Sequence, residues 1–229
     1  MNVGILGGTG PAGSGLAARL AAAGLEVVIG SRSKERAQQT CEAIIKRWPD
    51  RGLMLEAGDN MRAASAEVVV VATPWDAAAA TVHSVSGRIT GKVVISMANA
   101  LAKVGDEFEP LVPPRGSVAA HVQAAAPGAL VAAAFHHLPA KALANLDKPI
   151  DADVLVCSDH RYAYDATAEL VSLIPDLRPL NAGSLSNAAP IEAITAVLLQ
   201  LNVRYKTRAA IRLTGIKLSP GGDAHGGSG

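Results

Sequence analysis

Short apolar runs alternate with alanine-rich segments along the first hundred residues. The runs predict strands and the segments between them predict helices, because buried parallel strands are short, continuous apolar stretches. The predicted strands are 3–6, 27–30, 53–55, 67–72 and 92–96, and the predicted helices are 11–23, 33–47 and 77–82. This alternation indicates an α/β fold with a Rossmann-like, doubly wound parallel sheet and right-handed crossovers.

The same alternation continues through the rest of the chain. The later predicted elements are helix 117–126, strand 129–135, helix 141–146, strand 153–157, helix 161–173, strand 177–180 and a long helix 188–204. We therefore expect a nucleotide-binding Rossmann domain at 1–148 and a small C-terminal α/β domain at 149–218. Residues 219–229, of which five are glycine, are predicted to be a disordered tail.

Composition indicates which residues fill the core and which partners are excluded. Hydrophobic residues make up 49% of the 229 residues but aromatic residues only 3%, so Ala, Val, Leu and Ile must fill the core. The net charge of +1 argues against nucleic acid or an anionic membrane as the principal partner.

Three further features favour a cytoplasmic protein, and the first of them also argues against a metal site. Cys41 and Cys157 are far apart and lack metal-ligand spacing, which favours reduced thiols in the cytosol. The first residues, MNVGILGG, are typical of a strand and lack the basic region and cleavage site of a signal peptide. No apolar run has membrane-spanning length without Gly, Pro or charge.

A glycine-rich turn follows the first strand. Gly8, Gly10 and Gly13 have the Gly-x-Gly-x-x-Gly spacing of a dinucleotide-binding turn, between a strand and a helix. The backbone N–H groups at the start of that helix would then hold the pyrophosphate. The alternative is a glycine-rich turn that binds no ligand.

The end of the second strand indicates which dinucleotide binds. An NAD site usually carries Asp or Glu there, whereas this chain has Ser31 and Arg32, with Arg36 one helical turn further on. A hydroxyl and two guanidinium groups would bind a 2′-phosphate that a carboxylate would repel. The sequence therefore predicts NADP, and the alternative is a solvated basic helix start.

Other candidates follow strands whose carboxyl ends meet at the same edge of the sheet. Trp75 could pack on the nicotinamide or ribose, or fill a gap between helices. His136 could donate to an anionic group of a second substrate, or be a loop histidine bonded to backbone. Ser186-Asn187 could contact a ligand, but we expect it to cap the long helix. Glu192, within that helix, is predicted to be a solvated or ion-paired carboxylate and not a general acid.

The chain lacks the residues of an acid–base catalyst. It has no Ser/His/Asp constellation, no Cys-x-x-Cys and no carboxylate cluster, so we expect no catalytic side chain. This argues against an alcohol or hydroxy-acid dehydrogenase, which needs a proton donor for the carbonyl oxygen. Hydride transfer between two organic cofactors requires mostly positioning.

Over nearly all of residues 1–218 the chain resembles the NADPH-dependent reductases of the deazaflavin coenzyme F-420. The matching segments are Leu6-Gly7-Gly8-Thr9-Gly10, Gly30-Ser31-Arg32, Pro74-Trp75, His136 with Pro139-Ala140, Ala144-Asn145-Leu146-Asp147, Leu177-Arg178-Pro179-Leu180, Gly183 with Leu185-Ser186-Asn187, and Gly215-Ile216-Lys217. The glycine turn and the Ser-Arg pair are shared with other NADP folds, and the later segments together are more specific.

The resemblance implies a homodimer with F-420 in a cleft between the two domains and its ring near the nicotinamide. By position, NADP would contact Thr9, Gly10, Pro11, Ala12, Ser31, Arg32, Arg36, Trp75, Asn99, Ala140 and Thr214. The deazaflavin would lie near His136 and Leu138, with Thr195 toward its tail. The long helix 188–204 is also apolar over much of its surface, which favours burial at a two-fold interface.

The chain departs from the family pattern at two places. Pro11-Ala12 stands where an Asn-Leu-like pair is common, and Ala189 and Ala193 stand where the family can carry an Arg and a Ser that hold the F-420 tail. Two other functions remain open from the residues. One is an NADPH reductase of another acceptor, a flavin or a ferric chelate, and the other is a non-catalytic NADP-sensing protein.

Overall fold

The computed structural model describes residues 1–216, and eight strands of this part form one sheet. In sequence order these are β1 (Asn2–Leu6), β2 (Glu26–Ser31), β3 (Leu55–Asp59), β4 (Val68–Val71), β5 (Val93–Ser96), β8 (Leu130–Ala133), β9 (Ala152–Ser158) and β10 (Leu177–Asn181). Their spatial order is β10-β9-β8-β5-β4-β1-β2-β3. A separate hairpin pairs β6 (Leu101–Val104) with β7 (Glu107–Pro110).

Helices connect the strands and cover the sheet. They are α1 (Pro11–Ala22), α2 (Lys34–Arg47), α3 (Asn60–Ala63), α4 (Trp75–Ser84), α5 (Ser86–Ile89), α6 (Val118–Ala125), α7 (Ala140–Leu143), α8 (Arg161–Ser172) and α9 (Ala188–Tyr205), with 3-10 turns at Pro49–Arg51 and Leu185–Asn187. Within residues 1–216, none of them has both the length and the apolar character needed to span a lipid bilayer.

The strands alternate their side chains between two apolar clusters, one on each face of the sheet. In β4, Val68 and Val70 belong to the cluster that includes residues of α1 and α8. Val69 and Val71 belong to the cluster that includes residues of α4 and α6. Strands buried on both faces must be apolar at every position, which is why these runs are continuous. The predicted doubly wound parallel sheet is confirmed.

One strand pair reverses direction. Every neighbouring pair in the sheet is parallel except β8 and β9, which pair only through Ala132 with Ser158 and Ala133 with Cys157. Thus β9 and β10, from the predicted C-terminal domain, extend the sheet of the first domain. The division between residues 148 and 149 stays a prediction, and the tail 219–229 lies outside the described residues.

Two predicted details differ from the structure. The third strand is β3, Leu55–Asp59, because its pairing with β2 starts at Leu55, whereas 53–55 was expected. The hairpin of β6 and β7 was not predicted at all. Its strands are short and partly exposed, with charged residues among the apolar ones, so they lack the signature of a buried strand. Gly105, with a φ of 59°, lies in its turn.

The start of α9 is not capped by its predicted residues. Asn187 occupies the N-cap position, but its side chain accepts no hydrogen bond from the helix, and its Nδ2 donates to the Ala182 carbonyl at 2.7 Å instead. The Ser186 hydroxyl lies 2.7 Å from that of Ser184. The capping prediction is therefore wrong here. In α2, by contrast, a serine does cap the helix, because the Ser33 hydroxyl accepts from the Arg36 N–H at 3.2 Å.

Glu192 was predicted to be solvated or ion-paired, and this is wrong. The side chain is only 5% exposed, and its two oxygens accept from the N–H groups of Val118 at 2.8 Å and Ala119 at 3.1 Å. These are donors at the start of α6 that have no partner within the helix. The carboxyl group therefore joins α9 to α6. Burial raises the pKa of Glu192 to about 7, although both backbone hydrogen bonds lower it in part.

This raised pKa predicts how stability depends on pH. Between pH 4.5 and about 7 the unfolded chain ionises Glu192 while the folded protein retains the proton, so the free energy of unfolding falls as pH rises. A shift from 4.5 to about 7 corresponds to a loss of at most about 3 kcal/mol. Glu192→Gln should remove this slope in urea unfolding measured from pH 4.5 to 7.5.

The matched control is Glu169→Gln, which changes an exposed glutamate of α8 and should keep the wild-type slope. If Glu192→Gln unfolds with the same pH dependence as the wild type, the buried carboxyl group does not titrate in this range.

Candidate functional site

In the turn between β1 and α1, Gly13 allows close packing of the helix and Gly10 faces open space. A Cβ on Gly13 would come within 2.9 Å of the Gly8 Cα and 3.0 Å of the Ala72 Cβ, so the helix can lie this close only without a side chain. A Cβ on Gly10 would meet no atom within 4 Å. Gly10 is also the N-cap of α1 and provides no side-chain cap for the first N–H groups. Those donors therefore face an open space suited to an anion.

The turn is held from two sides. The Gly8 N–H donates to the Gly30 carbonyl at 2.9 Å, which connects the turn to β2. The Gly7 N–H donates to Oδ1 of Asn60 at 3.2 Å, which connects it to α3. Gly7 has a φ of 67°, in the left-handed region that favours glycine. Sequence reasoning missed Asn60, because its contact with Gly7 exists only in the folded chain.

A cleft of about 330 Å³ brings together five of the eleven residues predicted for NADP. Thr9 and Gly10 line it from the turn, and Ser31, Arg32 and Arg36 line it from the end of β2 and the start of α2. Its other wall is formed by Thr73, Pro74, Ala77 and Thr81. Both guanidinium groups are exposed, so they are accessible to a ligand in this cleft. A hydroxyl and two cations at the end of β2 are suited to a phosphate dianion.

Beside this cleft, the ends of three neighbouring strands carry buried polar atoms that lack partners. Among residues 1–216, six such side-chain atoms are present: Thr73 Oγ1 after β4, Ser96 Oγ and Asn99 Oδ1 at and after β5, and His136 Nδ1, His136 Nε2 and His137 Nδ1 after β8. Burying a polar group without a hydrogen bond is costly, and most buried polar groups in native proteins are paired. Their position at one edge of the sheet indicates a polar ligand there.

His136 is buried at this edge, with only 4% of its surface exposed. Burial and the neighbouring His137 lower the pKa of His136 to about 3, and the Ala134 carbonyl opposes this only in part, so the ring is neutral at neutral pH. The Asn99 Nδ2 donates to the His136 carbonyl at 2.7 Å, so the loops after β5 and β8 are connected. The ring of His136 makes no backbone hydrogen bond of normal geometry, unlike the loop histidine considered as its alternative.

His137 and Phe135 were missed by the sequence reasoning. His137 Nε2 lies 3.0 Å from the Asp153 carbonyl, and the rings of His136 and His137 meet edge-on, with centroids 5.1 Å apart. Phe135 has a φ of 65°, which is strained for an aromatic residue and turns the chain just before both histidines. No local sequence signal marks such a conformation at a bulky side chain.

Ala140 begins α7, which a buried arginine fixes to α1. The Arg19 Nε donates to the Leu143 carbonyl at 3.0 Å, and its Nη2 donates to the carbonyls of Ala142 at 2.8 Å, Asn145, and Lys148 at 2.7 Å. These bonds satisfy carbonyls at the end of α7. The sequence signal for this contact is a single arginine within an alanine-rich helix, and the sequence reasoning missed it.

The remaining predicted residues lie in different surroundings. Pro11 and Ala12 form the first turn of α1, and Trp75 begins α4 and packs against the apolar cluster on that face without lining the cleft. Leu138 is buried in the other cluster. Thr195 is 7% exposed, and its hydroxyl lies 3.5 Å from the Ile191 carbonyl within α9.

The fold and the cleft define a Rossmann-type dinucleotide-binding protein. Residues 2–100 match the family model described as "NADP oxidoreductase coenzyme F420-dependent". The chain is 37% identical to the F420-dependent NADP reductase of Methanothermobacter marburgensis, over 94% of this chain and 99% of that protein. It is 34% identical to the protein of the same name from Methanocaldococcus jannaschii, over 95% of this chain and 100% of that protein.

A solved structure agrees with the fold. A crystal structure from Arthrobacter sp. FB24 superposes with a TM-score of 0.76 at 24% identity and covers 93% of this chain and 99% of its own. With full-length relatives above 30% identity, the chain belongs to the F420-dependent NADP reductase family.

The two glycines of the turn allow ligand binding to be separated from folding. Gly10→Ala should leave the thermal midpoint within a few degrees of the wild type, because its Cβ meets open space. The same Cβ would obstruct a bound pyrophosphate, and the loss of one charge-assisted contact lowers NADP+ affinity by about tenfold or more. Calorimetric titration and thermal melting measure both quantities.

The matched variant is Gly13→Ala, whose Cβ meets backbone at 2.9 Å and should destabilise the protein by about 1–3 kcal/mol. If Gly10→Ala binds NADP+ as tightly as the wild type, the pyrophosphate does not occupy this turn.

Proposed function

We propose that the protein transfers a hydride between NADP(H) and the deazaflavin coenzyme F-420. The structural observation that carries this proposal is the cleft for a phosphorylated dinucleotide beside six unpartnered polar atoms at the strand ends. Relatives of full length are named F420-dependent NADP reductases, which favours F-420 over a flavin or ferric acceptor and over a non-catalytic sensor. The protein is accordingly an NADP-dependent oxidoreductase.

Each part of the dinucleotide has residues suited to hold it. The N–H groups after Gly10 are placed to bind the pyrophosphate, and Ser31, Arg32 and Arg36 are placed to bind the 2′-phosphate. We assign the nicotinamide end to the loops after β4, β5 and β8, where the Asn99 Oδ1 can accept from a carboxamide. Trp75, Ala140 and Thr214 are proposed contacts on the basis of family position alone.

The chain's contribution to the reaction is positioning. When bound, the nicotinamide and deazaflavin rings supply the hydride chemistry between C4 of one and C5 of the other. His136, with Leu138, is proposed to orient the deazaflavin, and its neutral ring has no excess proton to give. His136 is buried, and reacting atoms beside its ring would be shielded from water. Holding two reactants in a reactive geometry can lower the barrier by several kcal/mol, so no catalytic side chain is required.

Direct transfer is tested with stereospecifically deuterated NADPH and oxidised F-420. Deuterium should appear at C5 of the reduced product, because the hydride passes directly between the two rings in the proposed mechanism. Mass spectrometry of the product measures this. Deuterium found only in solvent would contradict direct transfer and would indicate an intermediate carrier.

His136→Ala is the companion variant in the same assay. It should still deliver deuterium to C5, but with a larger increase in the KM for F-420 than decrease in kcat, because the ring orients the acceptor. NADP+ affinity should change little. A kcat that falls without any change in KM would instead assign His136 a part in the chemical step.

The preference for NADP is tested at Arg32. Arg32→Asp removes one charge-assisted contact to the 2′-phosphate and adds a repulsion, so NADPH affinity should fall by roughly tenfold to a hundredfold. NADH affinity should stay nearly unchanged, because NADH lacks that phosphate. Fluorescence titration of both dinucleotides measures the two affinities, and equal affinities in the wild type would contradict the assignment.

A homodimer is supported by the exposed face of α9. Ile194, Val197 and Leu201 are 41%, 55% and 36% exposed and follow one another at helical spacing along this face. Apolar side chains in such a stripe are typical of a surface that another molecule covers, and a symmetric dimer is the commonest arrangement. Light scattering should give twice the monomer mass at micromolar concentration and a monomer for Val197→Glu. A monomeric wild type would contradict the interface.

A cytoplasmic location is supported by the cysteines. Cys41 and Cys157 are free and buried, and burial raises the pKa of each thiol to about 11. Free thiols are typical of reducing compartments. Cell fractionation would test this inference, and recovery from an oxidising compartment would contradict it.

A further inference from the structure

Arg178 connects two sequence segments that the proposed function does not use, Leu177-Arg178-Pro179-Leu180 and the segment that begins at Gly215. Its Nε and Nη2 donate to the two carboxylate oxygens of Asp153 at 2.7 and 2.8 Å. The Nη2 also donates to the Leu213 carbonyl at 2.8 Å, and the Nη1 donates to the Ile216 carbonyl at 3.1 Å. One guanidinium group therefore binds a carboxylate and two carbonyls of residues 211–216, which we call the C-terminal strap.

Asp153 also binds the strap directly. Its side chain is fully buried, and its carboxylate also accepts from the Leu213 N–H at 2.6 Å and from Arg212 Nη1 at 3.3 Å. Burial alone would raise the pKa of this carboxyl group, but the hydrogen bonds from Arg178 and Leu213 outweigh it and lower the pKa. A buried carboxylate with this many donors defines one position for the strap, because losing a partner would leave a buried charge uncompensated.

The strap lies along the edge of β9 that faces β8. Because the β8 pairing involves only Cys157 and Ser158 of β9, the start of β9 extends beyond the end of β8. There the Asp153 N–H donates to the Ile211 carbonyl at 2.7 Å, and the Asp153 carbonyl lies 3.0 Å from His137 Nε2. The N–H and C=O groups of one strand residue point to the same side of the strand, so Ile211 and His137 lie on the same side of β9. The strap and the histidine loop therefore lie side by side at the carboxyl end of β8.

We propose that Asp153 and Arg178 form a positioning pair that holds the strap beside the histidine loop, at the nicotinamide end of the proposed dinucleotide site. The inference rests on the proposed binding of NADP but not on F-420 as acceptor. The pair fixes both the N–H and the carbonyl of Leu213, in the middle of the strap.

The test compares two ligands that differ at the nicotinamide end. NADP+ reaches both ends of the site, whereas adenosine 2′,5′-bisphosphate occupies only the end with Arg32 and Arg36. Arg178→Lys keeps the charge but loses the planar fork that binds Asp153 and the strap carbonyls. It should weaken NADP+ by about tenfold, as expected for the loss of one well-placed contact, and leave adenosine 2′,5′-bisphosphate unchanged.

Arg161→Lys is the matched control. Arg161 Nε also binds both oxygens of a carboxylate, that of Asp165 at 2.8 and 2.9 Å, but this pair lies exposed on α8. It should leave both affinities at wild-type values. Equal weakening of both ligands by Arg178→Lys, or no weakening of NADP+, would overturn the proposal.

Hydrogen exchange of the wild-type protein gives a second test that needs no variant. Amides of residues 211–216 should exchange more slowly with NADP+ bound and at the free-protein rate with adenosine 2′,5′-bisphosphate. Identical exchange with the two ligands would overturn the proposal. Neither measurement uses an acceptor. The affinities and exchange rates therefore test the strap even if hydride transfer to F-420 fails.

Discussion

The structure depends on one constraint: strands buried on both faces have no room for polar side chains except at their ends. Within β4 and β5 every residue before Ser96 is apolar, and the first polar residues along these strands are Thr73 and Ser96. Because the strands are parallel, their carboxyl ends collect these groups at one edge. There the chain satisfies only some of them, and the unsatisfied hydrogen bonds are what a polar ligand can supply.

The local part of the site could be predicted from the sequence, and the long-range part could not. Gly10, Ser31 and Arg32 lie within one strand–helix–strand unit, where spacing along the chain fixes spacing in space, and they line one cleft. The burial of Glu192 depends on α6, which is more than seventy residues away in the chain. A glutamate in a helix gives no local sign of such a partner, and the prediction of a solvated group failed for that reason.

The first helix connects two parts of the candidate site, the glycine-rich turn and the short helix α7. Its start carries the turn at Gly10, while Gly15 and Arg19 further along contact α7. A Cβ on Gly15 would come within 2.9 Å of the Leu143 Cβ and 3.3 Å of the Ala140 carbonyl oxygen. Arg19 then binds the carbonyls at the end of the same short helix. A rigid α-helix thereby fixes the distance between the glycine-rich turn and the loop that begins at His136.

Two buried carboxyl groups attach the C-terminal elements to the rest of the described chain. Helix α9 is attached to α6 through the Glu192 carboxyl group, and the strap is attached to β9 and β10 through Asp153 and Arg178. Apolar contacts tolerate small shifts, whereas a buried carboxylate with fixed donors does not. Ala189 and Ala193 lie on α9 near this attachment and carry no charge. Under the proposed function, selection between acceptors on this side would therefore come from where the backbone is held, and that position depends on these buried carboxyl groups.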